Sequence, residues 1–289
     1  MFIVKLLVLC YILYESSDKM DKKTVVITGS ARGLGYEMAK CFRKKNYNVV
    51  ISDLVKKDID KAREDILLEY GNGDVIGIVC DITKGNDIDN LIKETIKKFK
   101  KIDFWVNNAG VNQPDKLIWN MEDDEISRMI DIDLKGTIMA SKYIMKVMEK
   151  QGYGAIYTVE GHGSNDAIIP GISIYGTAKR GVTYFIKALA KEAEKNKLDI
   201  IVGALSPGIM ITDFLVNSFR NKKMELSDKN KKVYNILGDY PDVVARYLVN
   251  RMINNTNNGV RISWLTNRKA CFRFIASIFR KRNLLDKKK

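Results

Sequence analysis

Tyr175 and Lys179 stand four residues apart in the stretch Tyr175-Gly176-Thr177-Ala178-Lys179. On a helix that spacing puts both side chains on one face. A free tyrosine titrates at about pH 10, too high for efficient proton exchange near neutrality. A neighbouring ammonium favours the phenolate and is expected to lower that value, so the pair suits general acid–base work. A second stretch with chemical meaning is Val25-Val26-Ile27-Thr28-Gly29-Ser30-Ala31-Arg32-Gly33-Leu34-Gly35. It reads as a strand, a glycine-rich turn and the start of a helix. Glycine supplies unusual dihedrals and lets backbone approach a pyrophosphate, whose charge the N–H groups of the next helix favour. A strand in front and an amphipathic helix behind are the setting that a dinucleotide-binding loop requires. Asp53 ends the next apolar run, where a carboxylate can accept hydrogen bonds from the adenosine ribose. Such a carboxylate repels a 2′-phosphate and favours NAD over NADP. Arg32 pulls the other way, because it can meet that phosphate.

These residues need a scaffold, and the apolar pattern describes one. Apolar runs at 24–28, 48–52, 74–80, 102–107, 154–159 and 199–205 read as buried parallel strands, with 260–265 as a seventh. Helical periodicity fills the gaps, as in Leu34, Met38, Cys41 and Phe42, or Ile174, Ala178, Val182, Phe185, Ile186 and Leu189. The alternation predicts an α/β fold: a doubly wound, mainly parallel Rossmann-type sheet with helices on both faces. No repeat or Pro/Gly-rich linker divides it, so residues 20–266 are expected to form one domain.

Composition narrows the alternatives. An apolar content of 46% in 289 residues allows a sizeable core. The formal net charge of +14 is concentrated: residues 261–289 hold ten Lys or Arg against Asp286 alone, which is +9 of the total. Nucleic acid is therefore not the expected partner. Residues 267–289 read instead as a basic amphipathic tail, with Phe272, Phe274, Ile275, Ile278 and Phe279 among the cations. It suits either peripheral contact with an anionic membrane or a solvated or subunit-contacting helix. Residues 2–14 form an apolar run broken by Lys5, too short for a comfortable membrane span. With no small-residue cleavage site after it, residues 1–19 read either as an extension upstream of Met20 or as a surface anchor. Cys10, Cys41, Cys80 and Cys271 are scattered, which indicates neither a metal site nor a disulfide framework. A reducing, cytoplasmic setting, with membrane association left open, is the expectation.

Taken together, the motifs resemble the short-chain dehydrogenase/reductase family over roughly residues 22–266. Its T-G-x-x-x-G-x-G pattern matches Thr28 to Gly35, and its N-N-A-G matches Asn107-Asn108-Ala109-Gly110. Its Y-x-x-x-K matches Tyr175 and Lys179, and its P-G-x-x-x-T matches Pro207, Gly208 and Thr212. The stretches 157–164 and 242–266 are similar to the chlorophyll b reductase branch. The resemblance implies that Thr28, Gly29, Ser30, Arg32, Gly33, Leu34 and Gly35 hold NAD or NADP. It assigns Asp81 and Ile82 to the adenine end, and Asn108, Ala109, Gly110, Pro207, Gly208 and Thr212 to the rest of the cofactor. Lys179 would also hold the nicotinamide ribose, while Tyr175 exchanges a proton with a carbonyl or alcohol substrate. A homo-oligomer and a small-molecule substrate are likewise implied.

Two positions depart from the family pattern. A serine usually polarises the carbonyl thirteen residues before the tyrosine, where this chain has His162. Aligning from the strand instead puts Glu160 and Gly161 there, and Ser164 is the nearest hydroxyl. Ser164 is the expected partner, His162 the alternative, and a third reading has neither touch substrate. The family's usual asparagine is Asp133, which can accept from a water or pair with Lys179 but has lost the amide donor. A non-catalytic nucleotide sensor or scaffold of the same fold is the alternative class, and the segment 209–240 leaves the substrate unassigned.

Overall fold

β-Branched residues dominate the first apolar runs, and in the computed structural model they become strands packed on both faces. The structure describes residues 22–71, 74–113, 115–212 and 228–285. In chain order come β1 (Thr24–Thr28), α1 (Gly33–Lys44), β2 (Asn48–Asp53), α2 (Lys56–Tyr70), β3 (Val75–Val79) and α3 (Gly85–Phe99). Then follow β4 (Phe104–Asn107), a short turn of helix at Ile118–Asn120, and α4 (Asp123–Met129). The latter runs through a wide π segment (Ile130–Gly136) into α5 (Thr137–Gln151). β5 (Gly154–Val159), α6 (Ser173–Lys195), β6 (Ile200–Ser206), α7 (Asp228–Leu237), α8 (Pro241–Ile253), β7 (Arg261–Ser263) and α9 (Asn267–Phe279) complete the described chain.

The seven strands form one sheet in the order β3-β2-β1-β4-β5-β6-β7, and every pairing is parallel. Alternate side chains feed opposite cores. Val25, Ile27, Val49 and Ile51 pack with Met38 and Phe42 of α1 and Leu248 of α8. Val26, Val50, Trp105 and Ile156 pack on the other face with Leu91, Ile144 and Val182. Strand order reverses between β1 and β4, so the loops leaving those strands part over a crevice at the C-terminal edge, the usual ligand position in such sheets.

Three strands are shorter than the apolar runs predict, β3 by one residue at each end. β4 begins at Phe104 rather than Ile102, because the Gln151 side chain takes both the N–H and the carbonyl of Ile102, at 3.1 and 3.0 Å. β7 keeps three residues as the edge strand beside β6.

The tail begins as α9, whose first turn is capped by Thr266. Arg273 and, beyond the helix, Arg282 reach one buried carboxylate, Asp239, at 2.6 and 2.8 Å. The Trp264 indole N–H donates to the same carboxylate at 2.7 Å. Asp239 in turn exchanges backbone hydrogen bonds with Ile209 and Ile211, so the tail is tied to the segment leaving β6. Among the described residues no helix is long and apolar enough to cross a membrane. The apolar run at 2–14 lies outside the described residues.

Candidate active site

The loops leaving β1 and β4 are locked together before any ligand is considered. Gly29 has φ 61°, and a Cβ there would stand 2.6 Å from the Ala109 backbone, so only glycine lets the two turns touch. Thr28 Oγ1 accepts the N–H groups of Asn108 and Ala109, both at 3.1 Å. The Asn108 amide donates to the carbonyls of Thr28 and Gly29 at 3.0 and 2.8 Å. Ser30 is buried, donates to the Ile27 carbonyl and accepts from the Ser52 N–H, which ties the turn to β2. Thus Ser30 and Asn108 shape the turn with their side chains. A ligand would meet the backbone N–H groups at Gly33, Leu34 and Gly35, for α1 has neither a side-chain cap nor an acid in its first turn. Above Gly33 the space is open, with nothing within 4 Å of where a Cβ would be.

The strand ends flanking this cradle carry the expected carboxylates. Asp53 accepts from the Ala31 N–H at 3.2 Å and the Leu54 N–H at 2.8 Å, which fixes it beside the glycine turn, while Arg32 is exposed. At the end of β3, Asp81 accepts from the Thr83 N–H and hydroxyl at 3.0 and 2.7 Å. Burial works to raise the Asp81 carboxyl, but the Thr83 bonds and the Lys84 ammonium outweigh it and hold it below the usual range. Ile82 is buried and packs beneath Gly136 of the π segment. After β6, Pro207 and Gly208 turn the chain; Gly208 has φ 74° and a Cβ there would stand 2.7 Å from the Leu265 side chain. Thr212 closes the described stretch.

Tyr175 and Lys179 lie one turn apart on α6, with the Lys179 ammonium 5.5 Å from the phenol ring centroid. Lys179 is buried, and its Nζ lies 2.7 Å from Oδ1 of the wholly buried Asp133. The π segment carries Asp133 to this place, and widened turns of this kind recur at functional sites. Its second oxygen accepts from the Val111 N–H at 3.1 Å. Two glycines make room: a Cβ at Gly110 would sit 2.6 Å from Asp133 Oδ1, and one at Gly161 would collide with the Tyr175 hydroxyl. Burial pushes the Tyr175 phenol up; Lys179 pulls it down, Asp133 adds to the rise, and the net shift is upward. This reverses the lowering expected from Lys179 alone, because burial outweighs the ammonium and the Asp133 carboxylate adds a smaller rise. Burial works against the Lys179 ammonium, yet Tyr175 and Asp133 outweigh it and raise its pKa.

The stretch after β5 separates Glu160, which stands at the serine position, from Ser164 and His162, the two residues considered for that role. Glu160 is buried and turned away to Arg261, whose Nε lies 2.6 Å from Oε2, and its other oxygen accepts from Thr183. Ser164 Oγ accepts from the Gly161 N–H at 3.3 Å and so closes the loop on itself. His162 has a buried Nε2 with no hydrogen-bond partner among the described residues. No hydrogen bond joins Ser164 or His162 to Tyr175 among the described residues.

One residue that carries weight here has no signal in the sequence. Gln113 is buried; its Oε1 accepts the Tyr175 N–H at 2.9 Å, and its Nε2 donates to Gly171 at 3.0 Å. It caps the first turn of α6 from a loop that follows β4, which local cap patterns do not reveal. Gln113→Leu should leave that N–H without a partner and destabilise the fold by about 2 kcal/mol. The readout is the urea midpoint at unchanged slope. Gln113→Glu, which keeps the acceptor, should recover part of the loss.

Known proteins are similar to this chain in sequence and in fold. Residues 23–223 match the short chain dehydrogenase family. The chlorophyll(ide) b reductase NOL of Oryza sativa subsp. japonica is 34% identical over 261 residues, covering 88% of this chain and 74% of that protein. The probable chlorophyll(ide) b reductase NYC1 of Arabidopsis thaliana is 28% identical over 94% of this chain, and the match spans only 56% of its own length. Among solved structures, ElxO with NADP bound superposes with a TM-score of 0.74 at 27% identity, covering 84% of this chain and 97% of that one. The resemblance to the chlorophyll b reductase branch is thus borne out beside the broader one. A seven-stranded parallel sheet, four ordered motifs and these matches place the chain in the short chain dehydrogenase family of oxidoreductases.

Proposed function

We propose that the protein reduces a carbonyl group of a small molecule with NADH or NADPH, Tyr175 giving the proton to the carbonyl oxygen. The observation that carries this reading is the half-buried Tyr175 with the buried Lys179 and Asp133, beside an uncapped, glycine-lined helix N-terminus. The dinucleotide fits that cradle: open space above Gly33, free N–H groups at α1 and the fixed Asp53 carboxylate suit a pyrophosphate and a ribose. When bound, it would supply a hydride. Gly29, Gly33, Leu34 and Gly35 would hold its phosphates, Asp53 its adenosine ribose, and Asp81 with Ile82 its adenine end. Asn108, Ala109, Gly110, Pro207, Gly208 and Thr212 would border the rest.

Burial gives the site its direction, and Asp133 reinforces it. Together they outweigh the pull of Lys179, so the phenol keeps its proton at neutral pH and serves as an acid, which suits reduction more than oxidation. Lys179 holds the phenol in register and contributes a ribose contact. Ser164 remains the proposed carbonyl partner, with His162 the competing one. A homo-oligomer is proposed on the family relationship. A reducing compartment is proposed on the free thiols of Cys41 and Cys80.

Tyr175→Phe should abolish turnover of every carbonyl tested while NADH binding, followed by its fluorescence, persists. Retained turnover would overturn the assignment, and tight nucleotide binding without turnover in the unaltered chain would favour a sensor. Asp133→Asn removes a charge that adds to the rise of the Tyr175 phenol, so the alkaline limb of the kcat/KM profile for reduction should move to lower pH. An unmoved limb would mean that another group supplies the proton. Asp53 predicts that kcat/KM with NADH exceeds that with NADPH by about tenfold, roughly 1.4 kcal/mol. Asp53→Ala should narrow that ratio; an NADPH preference in the unaltered chain would sink this use of Asp53.

A further inference from the structure

Beside Tyr175 the surface carries apolar side chains that the core does not use. Trp119 is 75% exposed on the turn before α4, next to exposed Leu117 and Ile118. Ile168 is 91% exposed in the stretch between β5 and α6, followed by the exposed Ile169. Single exposed apolar residues are ordinary. These lie on two loops that are bonded together: the Lys116 N–H and the Gln113 side chain both donate to the Gly171 carbonyl, each at 3.0 Å. Gln113 then accepts the backbone N–H of Tyr175, so the joined loops adjoin the turn of α6 that carries the reactive phenol. The neighbouring cations are already occupied, with Lys116 on Glu125 and Arg180 on Asp166, each at 2.7 Å. Neither is left to recognise a phosphate or carboxylate on a ligand.

We propose that this rim selects the substrate and that the substrate's body is neutral, apolar and ring-sized or larger, laid against the Trp119 indole with Ile168 across from it. An indole offers a broad rigid face suited to a flat ring, and covering both side chains removes apolar surface from water. The inference rests on the carbonyl-reductase reading for its reactive end, and on the two loops for its selectivity.

The test compares the full chain with its Trp119→Ala and Ile168→Ser variants, both at exposed positions. The probes are 2-acetylnaphthalene and butanone. Turnover is followed with NADH and NADPH, and binding of 2-acetylnaphthalene is followed by calorimetry without nucleotide. The unaltered chain should favour the naphthyl ketone in kcat/KM by about a hundredfold, and each variant should cut that ratio about tenfold, with Kd weakening in step. Equal use of the two ketones, or a ratio that neither variant changes, overturns the proposal. So does a fall in molar mass by light scattering for Trp119→Ala with the ratio unchanged, which would assign the rim to a second copy. If no carbonyl is turned over, the reductase reading falls. Calorimetry then decides the rim alone: binding lost in Trp119→Ala upholds it, and no binding by the unaltered chain overturns it.

Discussion

A lysine and an aspartate removed from water together impose the geometry on which the rest of the site depends. Burying either charge alone would be strongly unfavourable, and the pair survives burial only at close range with its remaining oxygen bonded. Lys179 and Asp133 meet both conditions, through the 2.7 Å contact and the Val111 N–H. Several local choices serve that contact. The helix between α4 and α5 widens to present Asp133, and Gly110 supplies no side chain to block it. The same carboxylate adds to the effect of burial on the phenol, since an isolated ammonium would draw the Tyr175 proton off more readily.

The sheet explains why these parts converge. All seven strands point the same way, so every strand exit lies on one edge. The crevice where strand order reverses receives the glycine turn from β1 and the Asn108 loop from β4. β5 and α6 add the phenol beside it. Thr28 and Asn108 serve as crosslinks between turns, which gives a cradle fixed by the protein's own hydrogen bonds.

Much of this was legible in the residues. Continuous apolar, β-branched runs marked the strands, and the positions of Gly29, Tyr175 and Lys179 followed from short-range spacing. The departures have a common physical origin in contacts between residues distant in sequence. The ladder predicted at Ile102 was displaced by the Gln151 side chain. The direction of the Tyr175 shift depended on burial by the folded chain and on Asp133, forty-two positions away, and no spacing rule weighs these against Lys179. Glu160 sat where a serine was sought, and its partner Arg261 is on another strand. Gln113 caps a helix from a different loop, so no local pattern announced it.

Asp239 carries a further consequence, which concerns the order in which the chain is made. Its carboxylate joins Trp264, Arg273 and Arg282, and its backbone holds Ile209 and Ile211 beside the exit of β6. Synthesis runs from the N-terminus, so the glycine turn, the phenol and the buried ion pair have all emerged before any of these partners. The clasp on the wall beyond β6 is therefore not complete until residue 282 has been made. During that interval the nucleotide cradle can form while the far side of the crevice stays unfastened.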